Sequence, residues 1–339
     1  MDKARFVISK SKVLERYEFL KEICPNISYS IKTNPEVGNI LEKETDSFFS
    51  IHTPEGLDWV DDFKRVWYIA ESLDSGILDE LFGKGVENFV IDNESDLGIL
   101  LDYTKRKKIN LLLRMKFQET TIYKGRYFLF GMTPDRINKL ILELRKNRNV
   151  MKLGIHFHRK TQNTGNWNLK YMLEEMLAEE TLKATDLMSI GGGIPIKYKN
   201  SSDSNLDYIV SKIKELREWL ESKGIGMIME PGRPIAGPPV RLEASVTSID
   251  GRNITVNCSV YNSSMDTIII PFKLLVEGEG KGNTYTIKGC TPCSMDIFRY
   301  DVKLEEPKIG DKIVFLNAGA YNFKSDFCNL DKLETAIVG

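Results

Sequence analysis

Short apolar runs alternate with longer amphipathic stretches along the first two thirds of the chain. Eight of the runs have the length and composition of buried strands: residues 27–31, 47–51, 65–69, 88–91, 110–115, 152–157, 186–190 and 226–229. Helical patterns separate most of them: residues 37–43, 54–64, 75–83, 94–107, 135–147, 168–183 and 205–222. Eight strands alternating with helices predict an α/β fold, a (β/α)8 or TIM barrel, rather than an open sheet.

The pattern changes after Pro231. The rest of the chain has no long helical pattern, and turn signals separate its strand-like runs: residues 241–249, 252–259, 267–270, 274–277, 284–288 and 312–315. This predicts a C-terminal all-β, β-barrel-like domain. The strand-like residues 5–8 precede the first helical pattern, residues 10–22, and are assigned to the same domain. The predicted domains are therefore a barrel of residues 20–235 and a β domain of residues 1–19 plus 236–339.

Composition and charge exclude several classes of function. The formal net charge of -1 gives no electrostatic basis for binding nucleic acid or an anionic membrane. No apolar run approaches the roughly 20 residues that span a bilayer, and the N-terminus lacks the apolar core of a signal peptide. The odd number of cysteines predicts free thiols and a cytoplasmic location. Cys290 and Cys293 have the spacing of a zinc pair, but no second pair completes a site, so no metal is predicted.

Functional groups of a barrel lie at the carboxyl ends of its strands. Those positions hold many polar residues, including all three histidines: Lys32, Ser50, His52, Glu71, Asp92, Asn93, Arg114, Lys116, His156, His158, Gly191–Gly193 and Glu230. A single lysine such as Lys32 is ordinarily a surface charge. The polar residues at the other strand ends instead favour its assignment to a functional site. Glu71 and Asp92 are interpreted as solvated loop charges. The aromatic-rich loop of residues 117–132 either has a function or packs over the barrel mouth.

The last two predicted strands carry the parts of a phosphate site. Gly191–Gly193 follows one strand, and glycines let backbone N–H groups approach an anion closely. Arg233 follows Glu230 after the next strand, and a guanidinium matches phosphate oxygens. A lysine, a phosphate site and a carboxylate are what pyridoxal 5'-phosphate requires. The lysine amine binds its aldehyde, and the carboxylate keeps its pyridine nitrogen protonated. His156 or His158 can stack on the ring.

With these motifs in order, the chain resembles the alanine-racemase-like (fold type III) pyridoxal-phosphate decarboxylases, the group acting on ornithine, diaminopimelate, arginine and carboxynorspermidine. The resemblance rests on five motifs: Tyr29-Ser30-Ile31-Lys32-Thr33-Asn34-Pro35, Gly154-Ile155-His156-Phe157-His158-Arg159-Lys160-Thr161-Gln162, Gly191-Gly192-Gly193, Glu230-Pro231-Gly232-Arg233 and Gly319-Ala320-Tyr321. The resemblance implies that Lys32 binds the cofactor, His158 stacks on its ring, and Glu230 meets the pyridine nitrogen. Arg114 matches an arginine near the cofactor. The residues implied to bind its phosphate are Thr161, Gly191, Gly192, Gly193, Gly232, Arg233 and Tyr321.

The β domain departs from the family pattern. Relatives carry Gly-Pro-Thr-Cys-Asp, whose cysteine reaches the partner subunit's site and protonates the substrate carbon. The corresponding segment of this chain is Gly289-Cys290-Thr291-Pro292-Cys293-Ser294-Met295-Asp296. Either Cys293 or Cys290 can therefore be the acid that protonates the substrate carbon. Cys293 is favoured because it lies nearer Asp296. The residues assigned to the substrate pocket are Tyr261, Asp296 and His52. An aspartate that ornithine enzymes carry is replaced by Ile270, so ornithine is not secured as the substrate.

The resemblance implies decarboxylation of a basic or polyamine-type amino acid to an amine, in a homodimer with shared active sites. Two alternatives stay open. One is a catalytically silent cofactor-binding homologue that acts through a partner protein; Lys32 argues against it, and the shifted cysteine motif argues for it. The other is a racemase with Tyr261 or Tyr321 as its second base, against which Glu230 argues, because racemases of this fold leave the pyridine nitrogen unprotonated.

Overall fold

The computed structural model describes residues 1–105, 107–117, 129–322 and 324–339. The chain divides into two compact units. The barrel unit comprises Glu18–Pro195 and Ser204–Pro231, and the sheet unit comprises Met1–Tyr17, Ile196–Asp203 and Gly232–Gly339. Residues 196–203 and 232–235, which the sequence assigns to the barrel, thus lie in the sheet unit. Residues 118–128 of the aromatic-rich loop lie outside the described residues.

The first elements are strand β1 (Arg5–Ser9) and helix α1 (Lys10–Ile23). Eight parallel strands then close into a barrel: β2 (Asn26–Ser30), β3 (Phe48–Ile51), β4 (Val66–Ala70), β5 (Asn88–Ile91), β6 (Ile109–Arg114), β7 (Val150–His156), β8 (Leu187–Ser189) and β9 (Gly226–Met229). Each strand pairs with the next in the chain, and β9 returns to β2. This confirms the predicted fold class.

In the described part of the barrel unit, the α-helices that follow α1 are α2 (Pro35–Glu44), α3 (Ser75–Lys84), α4 (Glu94–Tyr103), α5 (Pro134–Leu144), α6 (Leu169–Met176), α7 (Glu179–Lys183) and α8 (Leu206–Ser222). Two predictions were wrong in detail. The predicted helix 54–64 forms two 3-10 helices, Pro54–Trp59 and Phe63–Arg65, because Leu57 is the one residue in them that is buried, and an α-helix needs an apolar face. The predicted helix 168–183 is interrupted at Leu177 and Ala178 into α6 and α7.

Strands β7 and β8 approach each other closely at Gly154. A Cβ atom there would lie 2.1 Å from the carbonyl oxygen of Leu187 and 2.6 Å from Cδ2 of Leu112. We therefore expect Gly154→Ala to lower the free energy of unfolding by about 3 kcal/mol, because backbone of a neighbouring strand must move. Gly98→Ala in α4 is the control, since its Cβ would meet nothing within 4 Å. Denaturant titrations of both variants test this, and equal midpoints would contradict it.

The sheet unit contains an eight-stranded sheet. Besides β1, its strands are β10 (Val240–Asp250), β11 (Asn253–Val256), β12 (Leu275–Val276), β13 (Asn283–Lys288), β14 (Ile297–Leu304), β15 (Lys312–Leu316) and β16 (Glu334–Val338). Strand β1 pairs antiparallel with β10 and parallel with β16, as its assignment to this domain requires. Strands β14 and β16 were not predicted from the sequence.

The described residues of the sheet unit also form three short α-helices, α9 (Arg233–Ala236), α10 (Val260–Ser263) and α11 (Asp266–Ile269), and a 3-10 helix, Phe327–Asn329. The predicted strand 267–270 was wrong, because these residues lie mainly in α11. The side chain of Asp266 is buried and bound by Arg233, which holds the first turn of α11 in place. Within the described residues, no helix is both long and apolar enough to cross a membrane.

Candidate active site

A cavity of about 310 Å³ lies at the carboxyl ends of the barrel strands. Its described lining residues are Lys32, His52, Ile69, Glu71, Arg114, Phe130, His156 and His158. Ile69 belongs to the barrel's apolar core cluster, together with Trp67 and Leu112, so this core forms part of the cavity wall. The structure thus brings together charged and imidazole groups that the sequence places far apart but at equivalent strand ends.

Lys32 lies in a single 3-10 turn, Ile31–Thr33, directly after β2. Asn34, two residues after Lys32, caps α2. Its side-chain oxygen accepts hydrogen bonds from the N–H groups of Glu36 and Val37, at 3.1 and 3.2 Å. The chain direction at Lys32 is therefore fixed, and its side chain is open to the cavity. Desolvation, together with the charge of Arg114, lowers the pKa of Lys32 against the opposing effect of Glu230. A lowered pKa increases the fraction of neutral, nucleophilic amine.

Glu230 follows β9 and is buried, with 4% of its surface exposed. Ser189 Oγ donates a hydrogen bond of 2.6 Å to Oε1, and His156 Nε2 lies 3.3 Å from Oε2. Burial alone would raise the pKa of Glu230. The charge and hydrogen bond of His156, with His158 and Ser189, outweigh burial and lower the pKa to about 2. The site therefore holds a buried carboxylate that stays ionised at neutral pH.

The glycine loop packs against the loop that follows β7. Gly191 and Gly193 have φ values of +62° and +103°, which favour glycine. A Cβ on Gly191 would lie 2.6 Å from the carbonyl oxygen of Phe157, and one on Gly193 would lie 2.8 Å from that of Lys160. The loop carrying His158 and Thr161 therefore lies directly on the glycine loop.

His158 is held by this contact. The N–H of Gly192 donates to Nδ1 of His158 at 3.4 Å, which leaves Nε2 as the protonated nitrogen of the neutral ring. The ring is open to the cavity, and the protein atoms packed around it lower the pKa of His158. A neutral imidazole that faces the cavity can stack on an aromatic ligand.

Arg114, at the end of β6, forms an ion pair with Asp92, with Nη1 2.9 Å from Oδ1. Asp92 is buried and also accepts a hydrogen bond of 3.0 Å from the N–H of Gly131. The interpretation of Asp92 as a solvated loop charge was therefore wrong. The guanidinium of Arg114 also lies 4.8 Å from the ring centroid of Phe130. Arg114 thus reaches the cavity with its charge already balanced.

His52 lies on the cavity wall, and its assignment to the substrate pocket stays a prediction. Burial, followed by the charge of Lys32, lowers the pKa of His52 to about 3, so its ring is neutral at pH 7. Its Nδ1 atom is buried and forms no hydrogen bond within the described part of the chain. A neutral ring can accept or donate a hydrogen bond to a ligand without adding charge to the cavity.

Arg233 and Tyr321 lie together in the sheet unit. The guanidinium carbon of Arg233 is 4.8 Å from the Tyr321 ring centroid. Gly232 is buried immediately before α9. The guanidinium itself forms a two-pronged ion pair with Asp266, at 2.6 and 2.9 Å, and donates to the hydroxyl of Tyr198 at 3.1 Å. The sequence gives no sign of this internal carboxylate, and a phosphate contact by Arg233 stays a prediction.

Cys293 is exposed, and its Sγ atom lies 2.7 Å from the hydroxyl of Tyr261. This hydrogen bond is the first cause of a lowered pKa at Cys293, and it raises the pKa of Tyr261 to about 12. When the thiol is ionised, the hydroxyl of Tyr261 can donate to the sulfur and stabilise the thiolate. Cys290 is also exposed, and no described side chain bonds its sulfur. The pairing with Tyr261 distinguishes the two cysteines.

Asp296 is buried and bonded within the sheet unit, and its assignment to the substrate pocket stays a prediction. It is 1% exposed, and its oxygens accept hydrogen bonds from the N–H of Val260 and from the N–H and hydroxyl of Thr291. These bonds are 2.7 to 3.0 Å long and tie α10 to the segment that carries Cys293. Asp296 thus positions the segment that carries Cys293.

The barrel-unit residues fit pyridoxal phosphate. They provide an amine of lowered pKa, an ionised buried carboxylate, a neutral imidazole open to the cavity and a glycine loop suited to an anion. Residues 51–237 match the family described as "Pyridoxal-dependent decarboxylase, pyridoxal binding domain", and residues 234–319 match "Pyridoxal-dependent decarboxylase, C-terminal sheet domain". This chain belongs to the pyridoxal-dependent decarboxylase family. It is a pyridoxal-phosphate-dependent amino-acid decarboxylase, as its motifs predict.

Other members of the family match nearly the whole chain. A probable ornithine decarboxylase of Dictyostelium discoideum is 23% identical over 359 residues, covering 95% of this chain and 76% of that protein. A diaminopimelate decarboxylase of Methanothermobacter thermautotrophicus is 26% identical over 362 residues, covering 94% and 82%. The crystal structure of lysine decarboxylase from Selenomonas ruminantium has a TM-score of 0.85 at 21% identity, covering 99% of this chain and 93% of that one. At this identity, the structural likeness supports the fold.

Proposed function

We propose that this decarboxylase acts on a basic amino acid and releases the corresponding amine. The observation that carries the proposal is the convergence of Lys32, His158 and the ionised Glu230 in the barrel unit. The names of the relatives, which include ornithine, lysine and diaminopimelate decarboxylases, support a basic substrate.

Each residue has a defined task in this proposal. Lys32 would hold the cofactor covalently, His158 would stack on its ring, and Glu230 would balance the charge of its pyridine nitrogen. Thr161, Gly191, Gly192 and Gly193 would hold its phosphate, and Arg114 would lie near the cofactor. The phosphate roles of Gly232, Arg233 and Tyr321 stay predictions from the sequence. When bound, pyridoxal phosphate supplies an electron sink for the charge that the departing carboxylate leaves behind. When it is not bound to the cofactor, the amine of Lys32, with its lowered pKa, would be able to accept and return protons in the cavity.

The proposal includes a homodimer in which the partner subunit's Cys293 returns the proton to the substrate carbon. Its support is the exposed position of Cys293 and the hydrogen bond from Tyr261. A thiol of lowered pKa transfers a proton more readily than an ordinary cysteine. Tyr261 stabilises the thiolate that this transfer leaves.

A substrate panel tests the proposed function. Purified protein saturated with pyridoxal phosphate is incubated separately with ornithine, lysine, arginine, diaminopimelate and carboxynorspermidine, and carbon dioxide and amine are measured. We expect carbon dioxide from at least one substrate with one equivalent of the matching amine. Absence of carbon dioxide from every substrate, in protein whose absorbance shows bound cofactor, would contradict the proposal.

Cys293→Ala is expected to lower kcat by about 10²-fold, because general acid catalysis contributes about this much. Cys290→Ala, which removes the other exposed thiol of the same segment, is the matched control and should retain wild-type turnover. Stopped-flow and steady-state assays of amine formation measure both. The reverse outcome, an active Cys293→Ala and an inactive Cys290→Ala, would transfer the role to Cys290.

A further inference from the structure

Glu71 is the one carboxylate among the described residues that line the cavity. It immediately follows β4, and its side chain is exposed to the cavity. Within the described ranges it forms no hydrogen bond or ion pair, whereas nearby Asp92 and Glu230 both have bonded partners. The cavity therefore contains one acidic group whose bonding capacity is not used by the protein.

The backbone beside Glu71 is held rigidly. Ser72 has a φ of +69°, a conformation that non-glycine residues seldom adopt. The N–H groups of Ser72 and Leu73 donate to the carboxylate of Asp96, at 2.9 and 2.8 Å, and Asp96 is 3% exposed. Asn93 also donates to Asp96, at 2.8 Å. A buried carboxylate at the start of α4 thus fixes the turn that presents Glu71 to the cavity.

The cations of the cavity wall are engaged by groups other than Glu71. Arg114 is balanced by Asp92, Glu230 is bonded by His156 and Ser189, and Lys32 is assigned to the cofactor. Desolvation first, and then the charge of Asp92, raise the pKa of Glu71 against the opposing effect of Arg114. A ligand cation bound here would relieve both effects, while a ligand anion would meet a second negative charge.

We propose that Glu71 is the specificity-determining residue that binds the distal ammonium or guanidinium group of the substrate. This inference rests on the proposed function and names the protein group that selects a basic side chain. The rigid turn gives the carboxylate a defined position, so that a substrate is recognised by the cation at its far end. Amino acids with a neutral side chain of the same length lack this contact.

Binding of two probes to the holoenzyme tests the inference. Cadaverine and n-pentylamine have the same carbon chain, and only cadaverine carries the distal ammonium group. By isothermal titration, we expect wild-type protein to bind cadaverine at least about 10-fold more tightly, as a charge-assisted hydrogen bond would give. Glu71→Gln should lose this preference while its Kd for n-pentylamine stays unchanged. The same preference in wild-type protein and Glu71→Gln, or none in wild-type protein, would overturn the inference.

Glu87→Gln is the matched control. Glu87 is exposed and precedes β5, so it lies at the amino ends of the barrel strands, opposite the cavity. It undergoes the same loss of charge, and it should keep the preference for cadaverine. The absorbance of bound cofactor should be equal in all three proteins. A loss of cofactor in Glu71→Gln would assign the residue to cofactor binding and overturn its role in specificity.

Kinetics separate a failure of this inference from a failure of the proposed function. The proposed function is judged on wild-type protein alone, by carbon dioxide release from basic amino acids. The role of Glu71 is judged by the ratio of kcat/KM for lysine to kcat/KM for norleucine. We expect Glu71→Gln to reduce this ratio by about 10-fold or more, through KM for lysine. An unchanged ratio in an active enzyme rejects Glu71 and leaves the decarboxylase intact.

Discussion

Lys32→Ala is expected to abolish covalent cofactor binding and to lower decarboxylation by at least about 10⁴-fold, since removal of a nucleophile that forms the covalent link eliminates its reaction path. The structure gives this lysine two of the properties that the link requires. Its amine is open to the cavity beside His158, and its pKa is lowered by desolvation and by Arg114. No other lysine is among the described residues of the cavity wall.

Borohydride reduction followed by peptide mass spectrometry provides the measurement. Cofactor should be attached to the peptide containing Lys32 in wild-type protein and to no peptide in Lys32→Ala. Lys43→Ala is the control, because Lys43 is exposed in the last turn of α2 and should behave as wild type. Attachment of the cofactor to another lysine in wild-type protein would refute the assignment.

Glu230→Gln is expected to lower kcat by about 10³-fold, the upper range for losing one preorganised electrostatic group. The amide has the same shape, but it cannot balance a protonated pyridine nitrogen. In the wild-type protein the carboxylate stays ionised, with its pKa lowered to about 2, because His156 and Ser189 both bond it. The substitution therefore removes a charge that the surrounding residues are arranged to maintain.

Ser189→Ala separates charge from hydrogen bonding. It removes the 2.6 Å hydrogen bond to Glu230 and leaves the negative charge, so its effect on kcat should be much smaller than that of Glu230→Gln. Both variants are assayed with saturating cofactor, and thermal unfolding shows that each is folded. Equal losses in the two variants would mean that the charge of Glu230 is not what the reaction uses.

The eight barrel strands could be predicted because each buried strand is an apolar run bounded by polar or turn residues. Local pattern was insufficient where distant contacts decide the conformation. Residues 267–270 are rich in β-branched side chains and predict a strand, but the ion pair of Asp266 with Arg233 holds them in α11. That pair joins residues separated by 33 positions, and no local signal indicates it.

The same distinction applies to the site. The common location of Lys32, His158 and Glu230 could be predicted because strand ends meet at one face of a barrel. Which carboxylates are already bonded could not be predicted. Asp92, Asp96 and Asp296 look alike in the sequence as acidic residues in loops or at helix starts, yet all three are buried and accept hydrogen bonds from other chain segments. Glu71 was interpreted as a solvated loop charge, and its position on the cavity wall shows a carboxylate with unused bonding capacity.

Strand β1 has a consequence for how this protein is made. Its partners are β10, where Arg5 pairs with Glu243, and β16, where Arg5 pairs with Glu334. Glu243 is 238 residues beyond Arg5, so at about 5–20 residues per second the ribosome needs roughly ten seconds or more to deliver the first partner strand. During that time Phe6, Val7 and Ile8 have two open strand edges, which favours pairing with other nascent chains. A chaperone that binds the N-terminus before β10 is synthesised would therefore prevent this pairing between nascent chains.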